Sequence, residues 1–348
     1  MGHAPNILIF AIIIKIDNNR SFLLICLPSQ TNTGVANSLS MGIYVSEITL
    51  QFTSAAETLV GSLLLPGPGP FPAVLLITGS GPLDRNSNCR RLKVGVSQQL
   101  AIALAERGVA SLRYDKRGVG QSSGTFLSTG FYDNIADGSA ALNALATRPE
   151  IDAKRVFVLG HSEGALIATA LAAAISPLAG IVLLAGPARP GAEVLRWQVG
   201  QVLPSLSPVL RFVLRMLRID IAAKVAKNHE RLRSSRTDIV RMGLVRINAK
   251  WFREFLEYDP AVDLAKIRVP VCALTGEKDL QVNPDDLERM TALVSAPIET
   301  HRLADLTHLL RREAGPASLR TYKKQVKRPV EPLVVDLVID WLLRCAAS

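Results

Sequence analysis

Hydrophobic and polar residues follow two different periods along this chain. Tyr44–Phe52 places mostly apolar side chains at alternate positions, and Thr58–Leu65 follows it, which predicts a β-hairpin. Ala73–Ile77 is apolar throughout, as expected for a strand in a parallel sheet covered on both faces. Further strands are predicted at Ala110–Tyr114, Arg155–Leu159, Gly180–Ala185, Val271–Thr275 and Glu299–Leu303, and helices at Gly95–Arg107, Phe131–Thr147, Ala165–Ala174 and Asp285–Val294.

This alternation of strands and helices predicts an α/β fold with a mostly parallel, doubly wound central sheet flanked by helices. The alternation stops between Ala185 and Val269, where the sequence contains helical segments and no convincing strand. We therefore predict a core formed by residues 41–185 and 269–348, with residues 186–268 inserted as a helical cap.

Composition and charge narrow the class of protein. With 348 residues, 48% of them hydrophobic, the chain can bury one large core. Its four cysteines are scattered without paired spacing, so we expect no disulfide framework, no metal site and no cofactor. Most of the net charge of +10 lies between Gln201 and Arg253, where twelve basic residues face three acidic ones. Few aromatic residues accompany them, which favours solvated helix faces over a nucleic-acid surface.

Residues 1–40 differ in composition from the rest. The apolar run Ile7–Ile14 is too short to span a membrane and lacks the flanking residues of a signal peptide. We interpret residues 1–40 as a leader or an extension outside the folded domain, and our hypothesis is that it reflects an upstream start codon. We accordingly expect a cytoplasmic protein without stable membrane insertion.

A candidate nucleophile lies between a predicted strand and a predicted helix. Residues 160–164 read Gly-His-Ser-Glu-Gly, with Arg155–Leu159 before them and an alanine-rich helix after them. This strand–turn–helix context is typical of a serine held on a sharp turn. The flanking glycines suit such a turn because it leaves little room for Cβ atoms. Ser162 is the predicted nucleophile, although a capping serine in a Gly-rich turn would leave the same pattern.

A serine nucleophile needs a base and a group that orients the base, and these are expected in the chain order serine, acid, histidine. Asp279 follows the strand Val271–Thr275 and is the preferred acid, with Glu277 and Asp285 as competitors. His308 lies in the loop after the last predicted strand and is the preferred base. The other four histidines are His3, His161, His229 and His301.

The oxyanion of the reaction intermediate needs hydrogen-bond donors. The backbone N–H of Glu163 is one candidate. The loop after Ala73–Ile77 offers Ser80 N–H as the other, with Gly79 and Gly81 allowing a close approach of substrate. We assign Gly79, Gly81 and His161 to substrate binding. A simple Gly-rich turn is the alternative for this loop.

Asp115–Ser122 follows another predicted strand and looks like part of a site. Its charged residues can also tie the loop together. We therefore interpret this segment as structural and assign it no chemical role.

Over roughly Tyr44 to Leu343 the chain resembles α/β-hydrolases, in particular the serine-aminopeptidase-like and dienelactone-hydrolase-like esterases. Thr78 departs from the family pattern, because many relatives have histidine there. The resemblance implies an α/β-hydrolase fold and hydrolysis of a carboxylic ester. The segments that carry it are Gly160–Gly164, Asp115–Ser122, Gly276–Asp279, Leu306–His308 and Gly79–Asn86.

The leading hypothesis is a serine carboxylesterase that hydrolyses small short- to medium-chain esters through an acyl-enzyme. A serine aminopeptidase or amidase with the same triad is the alternative. It would need a pair of carboxylates for the substrate's amino group, and the insertion offers few acids, clustered at Glu254, Glu257 and Asp259. A non-catalytic binding protein on the same scaffold is a third possibility. The oligomeric state is left open.

Overall fold

The computed structural model describes residues 45–174, 178–205 and 220–347, together with residues 212 and 216. The predicted extension at residues 1–40 lies outside the described residues and stays a prediction. None of the described helices is long and apolar enough to cross a membrane.

A single eight-stranded sheet organises the described chain. The described strands are β1 (Ser46–Ser54), β2 (Glu57–Leu65), β3 (Phe71–Ile77), β4 (Asn88–Cys89), β5 (Leu92–Lys93), β6 (Ala110–Tyr114), β7 (Ile151–His161), β8 (Gly180–Leu184), β9 (Ile239–Met242), β10 (Val245–Asn248), β11 (Val271–Gly276) and β12 (Ile298–Leu303). The sheet order is β1-β2-β6-β3-β7-β8-β11-β12. From β6 to β12 all neighbours are parallel, whereas β1–β2 and β2–β6 are antiparallel. The predicted, mostly parallel α/β sheet is confirmed.

Helices cover both faces of this sheet. The described helices are α1 (Val96–Glu106), α2 (Phe131–Ala146), α3 (Glu163–Ala174), α4 (Gly191–Ser205), α5 (Ile221–Arg233), α6 (Ala249–Glu257), α7 (Pro260–Leu264), α8 (Asp286–Leu293), α9 (Tyr322–Gln325) and α10 (Pro332–Ala347). Along β3, Leu75 and Ile77 pack in one cluster with α2 and α3. Val74 and Leu76 pack in the other cluster with α1 and α10. Burial on both faces explains why this strand is apolar at every position.

The insertion at residues 186–268 is not purely helical. β9 and β10 pair as an antiparallel hairpin, so the prediction of no strand here is wrong. Each strand has only four residues, which is too short for alternation to stand out from a helical period. Gly243 in the turn has φ = 62°, a conformation that glycine adopts without the steric cost of a side chain. The boundary between core and cap stays a prediction.

Polar contacts attach the insertion to the core. The Asn248 side-chain amide donates to the backbone carbonyls of Phe126 (2.8 Å) and Thr129 (2.7 Å), and Lys250 pairs with Asp133 at 2.7 Å. These contacts hold the start of α6 against the first turn of α2 and the segment that precedes it. The basic side chains of the hairpin and of α5 lie at exposed positions, namely Lys224, Lys227, Arg231, Arg233, Arg241 and Arg246.

One cysteine departs from the sequence-based expectation. Cys89 is disulfide-bonded, whereas the sequence predicts no disulfide framework. A single bridge leaves no paired spacing of cysteines in the sequence, so the prediction missed it. Cys272 is a buried thiol, and burial raises its pKa to about 12.

Candidate active site

Ser162 occupies the sharp turn between β7 and α3. Its φ is 58°, and its N–H donates to the Leu184 carbonyl at 2.9 Å. A Cβ at position 160 would overlap the Gly164 carbonyl, and one at position 164 would overlap the Ile77 carbonyl. Glycine at both positions therefore lets α3 start directly against β3 and β7. The turn places Ser162 at the carboxyl edge of the sheet, where the loops after neighbouring parallel strands meet.

The predicted base and acid come together at this edge. His308 Nδ1 lies 2.8 Å from Asp279 Oδ2, and both side chains are buried. Asp279 Oδ1 accepts the backbone N–H groups of Gln281 (2.7 Å) and Val282 (2.9 Å). The two backbone donors thus orient the carboxylate so that its other oxygen, Oδ2, faces the imidazole.

The two competing acids lie elsewhere. Asp285 Oδ1 pairs with Arg302 Nη1 at 2.9 Å, and Glu277 Oε1 lies 3.7 Å from Arg302 Nε. Both carboxylates are about half exposed. Asp279, which is completely buried, is the acid that contacts His308.

A buried arginine supports the loop that carries His308. Arg311 donates to the carbonyls of Leu309 (2.5 Å) and Val94 (2.6 Å), and burial lowers its pKa to about 10. Sequence analysis did not single out Arg311, because an arginine after a histidine carries no motif. Its contacts restrain the loop from which His308 reaches Asp279.

His161 is buried next to the loop that carries His308. It is absent from the residues that line the pocket at Ser162, and its Nε2 lies 2.9 Å from the His308 carbonyl. Because a carbonyl only accepts, Nε2 carries the proton. Burial lowers the pKa of His161 to about 3, so the ring is neutral. The His161 ring packs against that of His308, with the ring centroids 5.0 Å apart, and the assignment of His161 to substrate binding stays a prediction.

The two oxyanion candidates surround the serine. Ser80, Gly81, Ser162 and Glu163 line one pocket. Gly79 lies beneath it, because a Cβ there would come within 3.3 Å of the Ser162 Cβ. No hydrogen bond joins Ser162 Oγ to His308 among the described contacts. In hydrolases without substrate such bonds are often long and shorten when substrate binds.

A family model described as serine aminopeptidase, S33 (Hydrolase_4), matches residues 92–315, which contain Ser162, Asp279 and His308. The chain belongs to this family. Among curated proteins, esterase EstD from Thermotoga maritima is 30% identical over 289 residues, covering 82% of this chain and 66% of that protein. The chain thus spans just under two thirds of the relative's length.

Solved structures support the same fold for this S33-family chain. The α/β-hydrolase GrgF from Penicillium sp. sh18 matches with a TM-score of 0.59 at 18% identity, over 87% of this chain and all of that one. Est1E from Butyrivibrio proteoclasticus, solved with ferulic acid bound, matches with a TM-score of 0.59 at 16% identity, over 86% of this chain and all of that one. At these identities the likeness establishes the fold alone, and it confirms the predicted α/β-hydrolase fold.

Two polar residues beside Ser162 were not singled out from the sequence. Lys116 and Asn134 are buried and line the pocket together with Ser162. Lys116 Nζ donates to the Gly79 carbonyl at 2.7 Å and lies 3.5 Å from Glu163 Oε1. Asn134 Nδ2 donates to the same carboxylate oxygen at 2.9 Å. Lysine after a strand and asparagine within a helix carry no local signature, so only the fold brings them to the site.

The rest of the pocket is largely apolar. Its cavity measures about 80 Å³. Three aromatic residues of α6 cover it, and the Trp251 and Phe255 rings stack at a centroid distance of 4.6 Å. Among the described residues, no group of three His, Cys, Asp or Glu side chains could hold a metal ion. The remaining lining residues are Phe126, Leu166, Pro187, Val194, Leu195, Gln198, Asn248, Phe252 and Gln281.

Proposed function

We propose that this chain is a serine carboxylesterase that works through an acyl-enzyme. The observation that carries the proposal is the buried His308–Asp279 hydrogen bond at the sheet edge where the turn presents Ser162. With Asp279 accepting the Nδ1 proton, His308 Nε2 is free to accept the proton of the Ser162 hydroxyl. Ser162 Oγ then attacks the ester carbonyl, and the imidazolium returns the proton to the leaving alcohol. Water repeats both steps to release the acid.

The N–H groups of Ser80 and Glu163 are the proposed donors to the oxyanion. Both residues line the same pocket as Ser162. Donors that are already oriented stabilise the negative charge as it develops, without the cost of reorganising solvent. Gly79 and Gly81 keep the loop free of side chains next to the reacting carbonyl.

Short acyl chains are the proposed substrates. The cavity of about 80 Å³ is well below the roughly 300–1,000 Å³ of typical ligand pockets. Its walls, including Phe255 and Leu166, are apolar and suit a hydrocarbon chain. The Thermotoga relative is named an esterase, which supports the reaction class but not the chain length.

The family description makes an aminopeptidase the second candidate. Such an enzyme must hold the substrate's ammonium group with carboxylates. Glu163 is the one carboxylate among the described lining residues, and it already contacts Lys116 and Asn134. Glu254 accepts the Tyr132 N–H instead of lining the pocket. These contacts favour an uncharged ester over a peptide with a free amino end.

Labelling with a fluorophosphonate probe tests the nucleophile. We expect the wild-type protein to be labelled and to release a burst of p-nitrophenol from p-nitrophenyl butyrate. Ser162→Ala should lose both, whereas Ser234→Ala, which removes an exposed serine hydroxyl of the insertion, should keep both. An unlabelled wild-type protein would favour the non-catalytic hypothesis. Equal turnover by Ser162→Ala would refute the mechanism.

A series of p-nitrophenyl esters tests the substrate class. We expect acetate and butyrate to be hydrolysed faster than octanoate, and a butyrate ester faster than an amino-acid anilide. Phe255→Ala removes one wall of the cavity, so the optimum should move to longer chains, with each additional buried methylene worth about 0.8 kcal/mol. Faster turnover of the anilide would favour the aminopeptidase. An unchanged optimum in the variant would contradict the assignment of this cavity to the acyl chain.

A further inference from the structure

Lys116 contacts both segments that supply the proposed oxyanion donors. Its Nζ donates to the Gly79 carbonyl at 2.7 Å and pairs with Glu163 at 3.5 Å. Gly79 directly precedes Ser80, and Glu163 directly follows Ser162. The side chain of Lys116 is only 5% exposed, and that of Glu163 only 2%, so water screens these contacts little.

The fold delivers Lys116 to this place through strand register. β6 runs parallel to β3, with Arg113 opposite Leu76. The residues that follow β6 therefore lie beside the residues that follow β3. Asp115, which precedes Lys116, is itself anchored, because it pairs with Arg85 at 2.7 Å. This anchor directs the Lys116 side chain at the Gly79 loop.

The hydrogen bond to Gly79 has a direct consequence for Ser80. The Gly79 carbonyl and the Ser80 N–H belong to one planar peptide unit, in which they point in opposite directions. Holding the carbonyl on Lys116 therefore fixes the direction of the Ser80 N–H. Without Lys116, the peptide could rotate and turn the N–H away from the oxyanion.

The ion pair between Lys116 and Glu163 also affects the charge at the proposed oxyanion site. A carboxylate buried beside the place where an oxyanion develops would oppose the reaction by charge repulsion. Lys116 offsets that charge, and Asn134 holds the same carboxylate oxygen, Oε1, at 2.9 Å. Among the described residues, Lys116 is the only cation paired with this carboxylate. The second oxygen, Glu163 Oε2, is buried without a hydrogen-bond partner, which makes the charge on Lys116 more important.

We propose that Lys116 is a positioning residue of the oxyanion hole, which orients the Gly79–Ser80 peptide and neutralises Glu163. This inference rests on the proposed esterase function. It assigns a role in the reaction to a segment, Asp115–Ser122, that sequence analysis interpreted as purely structural.

The test compares Lys116→Met with Arg117→Met, which removes the neighbouring ion pairs with Asp137 and Asp133 but no residue that lines the pocket. We expect Lys116→Met to lower kcat on p-nitrophenyl butyrate by about 10²–10³-fold, the usual loss for one oxyanion donor, with KM changed less than about threefold. Arg117→Met should lose thermal stability yet retain kcat. Lys116→Arg keeps the charge and the N–H donors, so its kcat should be at least tenfold higher than that of Lys116→Met.

A transition-state analogue separates positioning from general damage. A trifluoromethyl ketone that forms an oxyanion on Ser162 should bind Lys116→Met more weakly by the same factor as kcat/KM falls, while butyramide, an uncharged analogue of the ground state, should bind as before. The double variant Lys116→Met/Glu163→Gln leaves no unpaired buried charge and keeps the test valid if the single variant does not fold. It should still be slow, because the Gly79 carbonyl is not held.

Several outcomes would overturn the inference. These are a Lys116→Met kcat within about threefold of wild type, an equal loss of kcat in Arg117→Met, or full activity in the double variant. Failure of the proposed function is recognised separately, because wild-type protein would then show no activity that depends on Ser162.

Discussion

Replacing Asp279 with asparagine tests whether the orientation of one imidazole controls the reaction. In the structure, Oδ1 of Asp279 accepts two backbone N–H groups, from Gln281 and Val282, and Oδ2 accepts from His308. In Asp279→Asn the amide oxygen should stay with the two backbone donors. The new NH₂ group would then face His308 Nδ1, which must accept its hydrogen. The imidazole proton would move to Nε2, and Nε2 could no longer take the proton of Ser162.

The size of the rate loss in Asp279→Asn follows from the free-energy cost of turning the introduced amide around. Restoring the productive tautomer requires the amide to turn around, which leaves the N–H groups of Gln281 and Val282 without acceptors. Each buried, unsatisfied donor costs about 1–3 kcal/mol, so the turn costs about 2–6 kcal/mol. At about 1.36 kcal/mol per tenfold, the rate should fall by about 30-fold to 10⁴-fold. Loss of the carboxylate charge next to the imidazolium favours the upper part of this range, about 10³–10⁴-fold.

The assay is kcat/KM on p-nitrophenyl butyrate at fixed pH, with a thermal melt to check folding. Glu277→Gln and Asp285→Asn are matched controls, because each neutralises a carboxylate in the same region that pairs with Arg302 at an exposed position. We expect both controls to match wild type. A loss below about tenfold in Asp279→Asn, or an equal loss in either control, would refute the role given to Asp279.

Two further predictions concern stability. Gly164→Ala would drive a methyl group into the Ile77 carbonyl and should lower the free energy of unfolding, measured in urea, by more than about 3 kcal/mol. Gly200→Ala in α4 adds a methyl group that meets nothing within 4 Å and should raise the same free energy by about 0.5–1 kcal/mol. Equal effects of the two variants would contradict the packing argument. His161 has its folded-state pKa lowered from 6.5 to about 3, so between these values the unfolded chain binds more protons and stability falls as the pH drops below 6.5. His161→Gln should lose this dependence, about 1.4 kcal/mol per pH unit, and identical slopes from pH 7 to pH 5 in both proteins would refute it.

The core of the fold was predictable because its strands carry an unusually clear signal. Strands buried on both faces, such as β3, read as short apolar runs, and the connecting helices follow at regular intervals. α10 was not predicted, although Val334, Val338 and Trp341 are buried in it. Its many β-branched residues weaken the helical pattern, and its place in the core is set by packing against β8 and β11.

Some residues of the candidate site could be predicted from the sequence and others could not. Ser162, Asp279 and His308 each stand in a recognisable local context: a glycine-flanked turn, the end of a strand, and a loop after the last strand. The structure brings Asp279 and His308 into contact, as the chain order suggests. The contact of His161 with the His308 carbonyl could not be predicted, because a position next to the serine says nothing about the direction of the side chain.

Lys116 shows what a local pattern leaves out. The residues before and after it also form ion pairs, with Arg85 and Asp137, and the sequence alone offers no reason to treat Lys116 differently from them. What distinguishes Lys116 is a partner 37 residues away, the Gly79 carbonyl, and that contact exists only because β6 lies next to β3. Strand order is a property of the whole sheet, so the residues that orient the oxyanion donors become visible only once the sheet is assembled. The same holds for the aromatic residues of α6, Trp251, Phe252 and Phe255. Their spacing would suit any buried helix face, and only the fold places them in the same pocket as Ser162.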